Sequence, residues 1–118
     1  MATLETSTKD GVFIVSVTGY FGMDIGAKFR EVVKDQIDRG IRKLLIDLRN
    51  GTGMDSTGVG NLVIAYTQMA NSGGQLALIV PPTGKINDTL HLTKIFSVFR
   101  VFDSVDGAVQ DLAKTKTA

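Results

Sequence analysis

Cysteine and tryptophan are absent from this chain of 118 residues, proline occurs twice and histidine once. Without thiols there is no disulfide framework and no thiolate metal site, and the composition suits a reducing compartment. Neither sign of charge dominates: 13 basic residues against 12 acidic ones give a formal net charge of +1. A balance so close to neutral leaves no electrostatic footprint for nucleic acid or for an anionic membrane surface. The basic residues are scattered in runs no longer than a pair such as Arg42-Lys43, and Lys114-Thr115-Lys116 reads as a solvated end. The longest apolar runs, Leu62 to Tyr66 and Leu76 to Val80, are far too short to span a membrane. The first residues carry Glu5 and Asp10 and lack an apolar core segment, so they do not read as a secretory signal. The cytoplasm is the expected location.

What is present is an ordinary globular composition, 43% hydrophobic and 21% charged. Its length supports one domain with a sizeable core and not two. The whole chain, 1–118, is therefore expected to be one domain with an ordered core over about residues 3–113. Two strand-like runs, Thr3 to Thr8 and Val12 to Thr18, flank the turn signal Lys9-Asp10-Gly11. In the second run Val12, Ile14 and Ser16 alternate with Phe13, Val15 and Val17, which predicts a strand covered on both sides. Gly19 to Gly22 reads as irregular, with room for a short extended piece at Tyr20-Phe21. Asp24 stands where an N-cap belongs, ahead of Ile25, Phe29, Val32, Val33 and Ile37 at helical spacing, and Gly40 marks the end of that helix.

Ile41 to Leu48 is the next expected strand, followed by the glycine-bearing loop Gly51-Thr52-Gly53. Val59, Leu62, Val63, Tyr66 and Met69 then repeat at helical spacing until Gly73-Gly74. Gln75 to Val80 reads as a strand stopped by Pro81-Pro82, Thr83 to Leu92 as a helix or helical turn, and Phe99 to Phe102 as a short last strand. Val105, Val109 and Leu112 line a final helix capped by Asp103 or Ser104. The predicted fold class is α/β. It has a mixed central sheet, an opening antiparallel hairpin followed by parallel strands, flanked by about four helices.

The loop Gly51 to Gly58 invites enzymatic readings, and each fails on a specific residue. A phosphate-cradling loop needs a lysine at its end, and none lies between Lys43 and Lys85. A dinucleotide fingerprint needs a third glycine where Ser56 stands. A nucleophile elbow needs glycine where Met54 stands, and His91 would be the only available base. Asp47 and Asp55 are carboxylates near the end of one strand, where a pair can hold magnesium, but a helix cap and a strand end account for them more simply. No catalytic residue, metal or cofactor is assigned. What remains is a small hydroxyl at a strand-to-helix junction, with Asp55 or Ser56 as the N-cap. A kinase can reach such a hydroxyl if it faces solvent, and a phosphate there changes the local charge by roughly −1.5 to −2 units.

The strand Leu44-Leu45-Ile46-Asp47-Leu48, the junction Met54-Asp55-Ser56-Thr57-Gly58-Val59-Gly60 and the helix ended by Gly73-Gly74 closely resemble the STAS domain family. More narrowly they resemble the bacterial anti-sigma factor antagonists (anti-anti-sigma factors). The likeness runs from Gly11 through Gly107 and includes Gly19, Asp24 and the segment from Ile95-Phe96 to Phe102. It implies a partner-switching regulator of transcription rather than an enzyme. Ser56 would be phosphorylated by an anti-sigma factor that is itself a serine kinase with a histidine-kinase-like ATPase fold, and a PPM-type serine phosphatase would reverse the change. The resemblance places partner binding at Asp24, Met54, Asp55, Ser56, Thr57, Gly58 and Val59, with Thr57 as the fallback acceptor. The alternatives are a constitutive STAS scaffold or transport-accessory module and, further off, a small nucleotide-binding protein. One stretch departs from the family: Asn50-Gly51-Thr52-Gly53 replaces the usual bulkier residues, and is expected to loosen the loop and to remove side chains from the partner surface.

Overall fold

A computed structural model describes residues 2–94 and 97–114. Thr115 and Lys116 of the expected solvated end and the Ile95-Phe96 part of the resemblance lie outside the described residues. Strands β1 (Thr3–Lys9) and β2 (Val12–Phe21) form the expected hairpin. Their register runs from Thr3 opposite Thr18 to Lys9 opposite Val12. The two-residue turn has positive φ at both Asp10 and Gly11. That combination matches the right-handed twist of the flanking strands, and it explains the Asp-Gly pair.

Helix α1 (Met23–Asp38) leads to β3 (Lys43–Asp47), the short strand β4 (Gly51–Met54) and helix α2 (Ser56–Asn71). Strand β5 (Gln75–Ile79), helix α3 (Lys85–Leu92), strand β6 (Arg100–Phe102) and helix α4 (Val105–Lys114) complete the order. The main sheet runs β1-β2-β3-β5-β6, with β4 attached to the far end of β2. The hairpin is antiparallel and every other pairing is parallel.

The alternation read in β2 divides two apolar cores. Phe13, Val15 and Val17 enter the larger one, with Phe29 and Val33 of α1, Leu62, Ala65 and Met69 of α2, and Ile86 and Leu90 of α3. Val12 and Ile14 point the other way, joining Leu45, Ala77 and Ile79 beneath Ala108, Val109 and Leu112 of α4. Ser16 is the polar interruption and is half-buried. Each fully buried aliphatic or aromatic side chain contributes about 1.5–3 kcal/mol relative to an exposed one.

Three expectations need correction. The extended piece expected at Tyr20-Phe21 is present, but it belongs to β2, which continues through Gly19 to Phe21 rather than breaking off at Thr18. Strand β2 pairs with β3 through Ser16 and with β4 from Gly19 onward, and the β4 pairing shifts register between Gly19 and Tyr20. The N-cap of α1 is Gly22, and Asp24 lies inside the first turn. The stretch Gly51-Thr52-Gly53 is strand rather than loose loop. A Cβ on Gly51 would collide with Cδ1 of buried Ile86, and one on Gly53 would lie 3.1 Å from the Tyr20 ring. The glycines let two side chains press on the β4 backbone. They therefore serve close packing, and not mobility.

Candidate functional site

The junction from β4 to α2 is held from below and left open above. Met54 is buried at the end of β4, and the amide of Asp55 donates to the Phe21 carbonyl at the end of β2. Asp55 has extended backbone and is the N-cap of α2. Its Oδ1 accepts from the Thr57 amide at 2.9 Å and from the Gly58 amide at 3.1 Å. Two of the unpaired donors of the first turn are thereby satisfied. Ser56, the first residue of the helix, is exposed. Thr57 is half-buried, and its methyl faces Gly26 of α1. Gly58 is buried against the Phe21 carbonyl, which leaves no room for a side chain, while Val59 is half-buried.

The seven residues assigned from the sequence are not all contiguous. Met54 through Val59 form one continuous junction, and Asp24 stands exposed on the neighbouring α1. Between them lies Gly22, whose absent Cβ would come within 2.9 Å of both Asp55 Oδ2 and Tyr20 Cε2. The start of α1 therefore abuts the Asp55 carboxylate. Asp47 does not join Asp55 in a carboxylate pair. It is 5% exposed, and its two oxygens take Arg49 Nε at 3.0 Å and a terminal nitrogen of Arg49 at 2.8 Å. This hydrogen-bonded partner holds the Arg49 guanidinium above its ordinary pKa. Among the described residues no group of three or more His, Cys, Asp or Glu side chains converges on a metal-sized site.

Sequence reasoning missed three neighbours of the junction. Tyr20 lies over Gly22 and Gly53 and is 48% exposed. Lys85, at the start of α3, brings its Cβ to 3.8 Å from the vacant Cβ position of Gly53. Asn61, one turn beyond Thr57, is 2% exposed in the α1–α2 seam, where its Oδ1 accepts from Arg30 at 2.9 Å. The glycines at 22 and 53 were the available signal for Tyr20, since paired glycines mark a close approach. Lys85 and Arg30 are too distant in sequence for any local pattern to find.

Comparison with known proteins gives a consistent answer. The family model of the STAS domain matches residues 3–108. The anti-sigma F factor antagonist of Paenibacillus polymyxa is 24% identical over 116 residues, covering 92% of this chain and 93% of that protein. The crystal structure of an anti-sigma factor antagonist from Mycobacterium paratuberculosis superposes with a TM-score of 0.84 at 21% identity, covering 95% and 94% of the two chains. The phosphorylated form of the Bacillus cell fate determinant SpoIIAA gives 0.73 at 13% identity over 92% and 98%. A sulfate transporter family protein from Wolinella succinogenes gives 0.77 at 22% identity over 92% and 93%.

Proposed function

This chain belongs to the STAS domain family, and from that premise we propose that it is an anti-sigma factor antagonist switched by phosphorylation of Ser56. The unmodified junction docks on an anti-sigma factor that is also a serine kinase, and so frees the sigma factor. The kinase transfers the γ-phosphoryl group of ATP to Ser56 Oγ, with loss of the hydroxyl proton and release of ADP. The modified protein then lets go, and a PPM-type phosphatase restores it. On this reading the chain is a cytoplasmic binder and a substrate, and the catalytic groups belong to its partners.

The observation that carries the reading is the exposed Ser56 hydroxyl at the first turn of α2, beside a carboxylate that already occupies the adjacent amides. A helix N-terminus ordinarily welcomes an anion. Here Asp55 holds the Thr57 and Gly58 amides, so a phosphate on Ser56 meets a neighbouring negative charge instead of free donors. A docked partner must desolvate or repel both. A net penalty of about 3 kcal/mol weakens binding roughly a hundredfold, enough to redistribute a shared partner. Met54 and Val59 pack in the larger core while Ser56 itself is exposed, so a charge added at Ser56 enters solvent rather than the core and the fold has no need to change.

The test is incubation with the purified kinase and ATP, read by mass spectrometry. Wild type is expected to gain one phosphate and Ser56→Ala none; label that persists in Ser56→Ala and vanishes in Thr57→Ala moves the acceptor. Ser56→Asp is expected to fold normally and to lose the kinase by roughly a hundredfold in affinity. The neighbour from the sulfate transporter family favours a second reading, a transport-accessory module with constant binding. Wild type that binds a transporter and is never phosphorylated would select it.

A further inference from the structure

Tyr20 is an exposed aromatic residue with no place in either core. Its ring nevertheless packs close to two glycines. Cε2 lies 2.9 Å from the position a Cβ would take on Gly22, and Cε1 lies 3.1 Å from the same position on Gly53. The ring thus sits against the start of α1 and strand β4, with 48% of the residue open to solvent. Met23, three residues on, is 79% exposed. Elsewhere on the surface Tyr66 spends its ring on Phe99, at a centroid distance of 5.2 Å.

We infer that Tyr20 is the aromatic anchor by which the kinase partner docks, entering an apolar pocket beside that partner's phosphoryl-transfer cleft. The inference rests on the reading of Ser56 given above and names a second point of contact for it. Two features select this occupant. The first is adjacency: the vacant Cβ position of Gly22 is 2.9 Å from both the Tyr20 ring and Asp55 Oδ2, and Ser56 is the next residue. A protein that closes over the Ser56 hydroxyl closes over Tyr20 as well. The second is rigidity. Aromatic side chains dominate binding energy at the centre of interfaces, and a ring already held in place loses little conformational entropy on docking. Gly53, expected from the sequence to remove contact surface, is one of the two glycines against which the ring packs. Tyr20 then acts as a positioning residue for phosphorylation, since it presents Ser56 without touching the transferred group.

The chain has two tyrosines and no tryptophan, so 3-fluorotyrosine labelling gives a two-line fluorine spectrum. Saturation with the purified kinase is expected to shift the Tyr20 line strongly, with assignment by Tyr20→Phe. Tyr20→Ala is expected to bind about tenfold more weakly. It should raise KM for Ser56 phosphorylation by a similar factor and leave kcat within about threefold. Tyr20→Phe should stay within about threefold of wild type, because the ring and not the hydroxyl makes the contact. Tyr20→Gln repeats the measurement should Tyr20→Ala fold poorly. An unshifted Tyr20 line, or affinity of the two truncated variants within about twofold of wild type, overturns the inference. If Ser56→Asp still releases the kinase in that case, the switch stands and only the anchor falls. If Ser56→Asp binds as wild type while Tyr20→Ala does not, the anchor stands and the switch falls. A wild type that binds no kinase removes both.

Discussion

At the scale of single residues, Asp55 and Ser56 divide labour that one residue performs at most helix starts. Asp55 caps the helix, and Ser56 is its exposed first residue. Removing the cap separates the two roles. Asp55→Ala is expected to destabilise the fold by about 1 kcal/mol, with Asp55→Asn costing less because its amide oxygen still accepts. Urea unfolding of the two variants checks the order. Freeing the Thr57 and Gly58 amides should also give a phosphate on Ser56 the donors that Asp55 now holds, so phosphorylation should stabilise Asp55→Ala more than it stabilises wild type.

Among the elements, α2 depends on glycine in two opposite ways. Gly58 faces the Phe21 carbonyl, and a Cβ there would also lie 3.2 Å from the Met54 Cβ. Gly60 has nothing within 4 Å of its Cβ position. Gly58→Ala is expected to cost about 1–3 kcal/mol by overpacking, whereas Gly60→Ala should gain up to about 1 kcal/mol from helix propensity. Thermal unfolding of the pair reads both signs. Much of this architecture was legible in advance. The Asp10-Gly11 turn, the two-sided alternation of β2 and the Asp55-Ser56 helix start each follow from local chemistry. Strand β4 was not legible, because glycine weakens a strand interior, and its pairing with β2 and packing against Ile86 and Tyr20 are visible only in the folded chain. The cap of α1 departs from local chemistry for a related reason. Asp24 has the better intrinsic capping chemistry, but the chain must pass Tyr20 and Asp55 at position 22, where only glycine fits. The candidate junction was visible as a motif, and its aromatic neighbour was visible only in three dimensions.

Across the whole molecule, the two faces of the sheet are unequal. Helices α1, α2 and α3 share the larger core, whereas α4 alone covers the smaller one among the described elements. An exposed ion pair at 2.6 Å joins Lys9 of β1 to Asp106 in the first turn of α4. Its hydrogen bond and charge hold Asp106 below, and Lys9 above, their ordinary pKa values. The Asp106 contribution is present above the unfolded carboxylate value and is lost as pH falls through the depressed folded one. The Lys9 contribution is present below its unfolded value and is lost as pH rises through the raised folded one. The pair is exposed, so its effect is small and screened by salt. Hydrogen-exchange protection factors should therefore fall first in α4, and acid should widen the gap between α4 and α2; Lys9→Ala should remove that extra acid sensitivity. The lopsided cover has a practical consequence. When α4 lifts away, Val12, Ile14, Leu45, Ala77 and Ile79 are laid bare on the side of the sheet remote from Ser56. On heating, molecules should begin to clump through that bared flank while the face that carries Ser56 is still intact, so solubility fails before the opposite side of the sheet loses its shape.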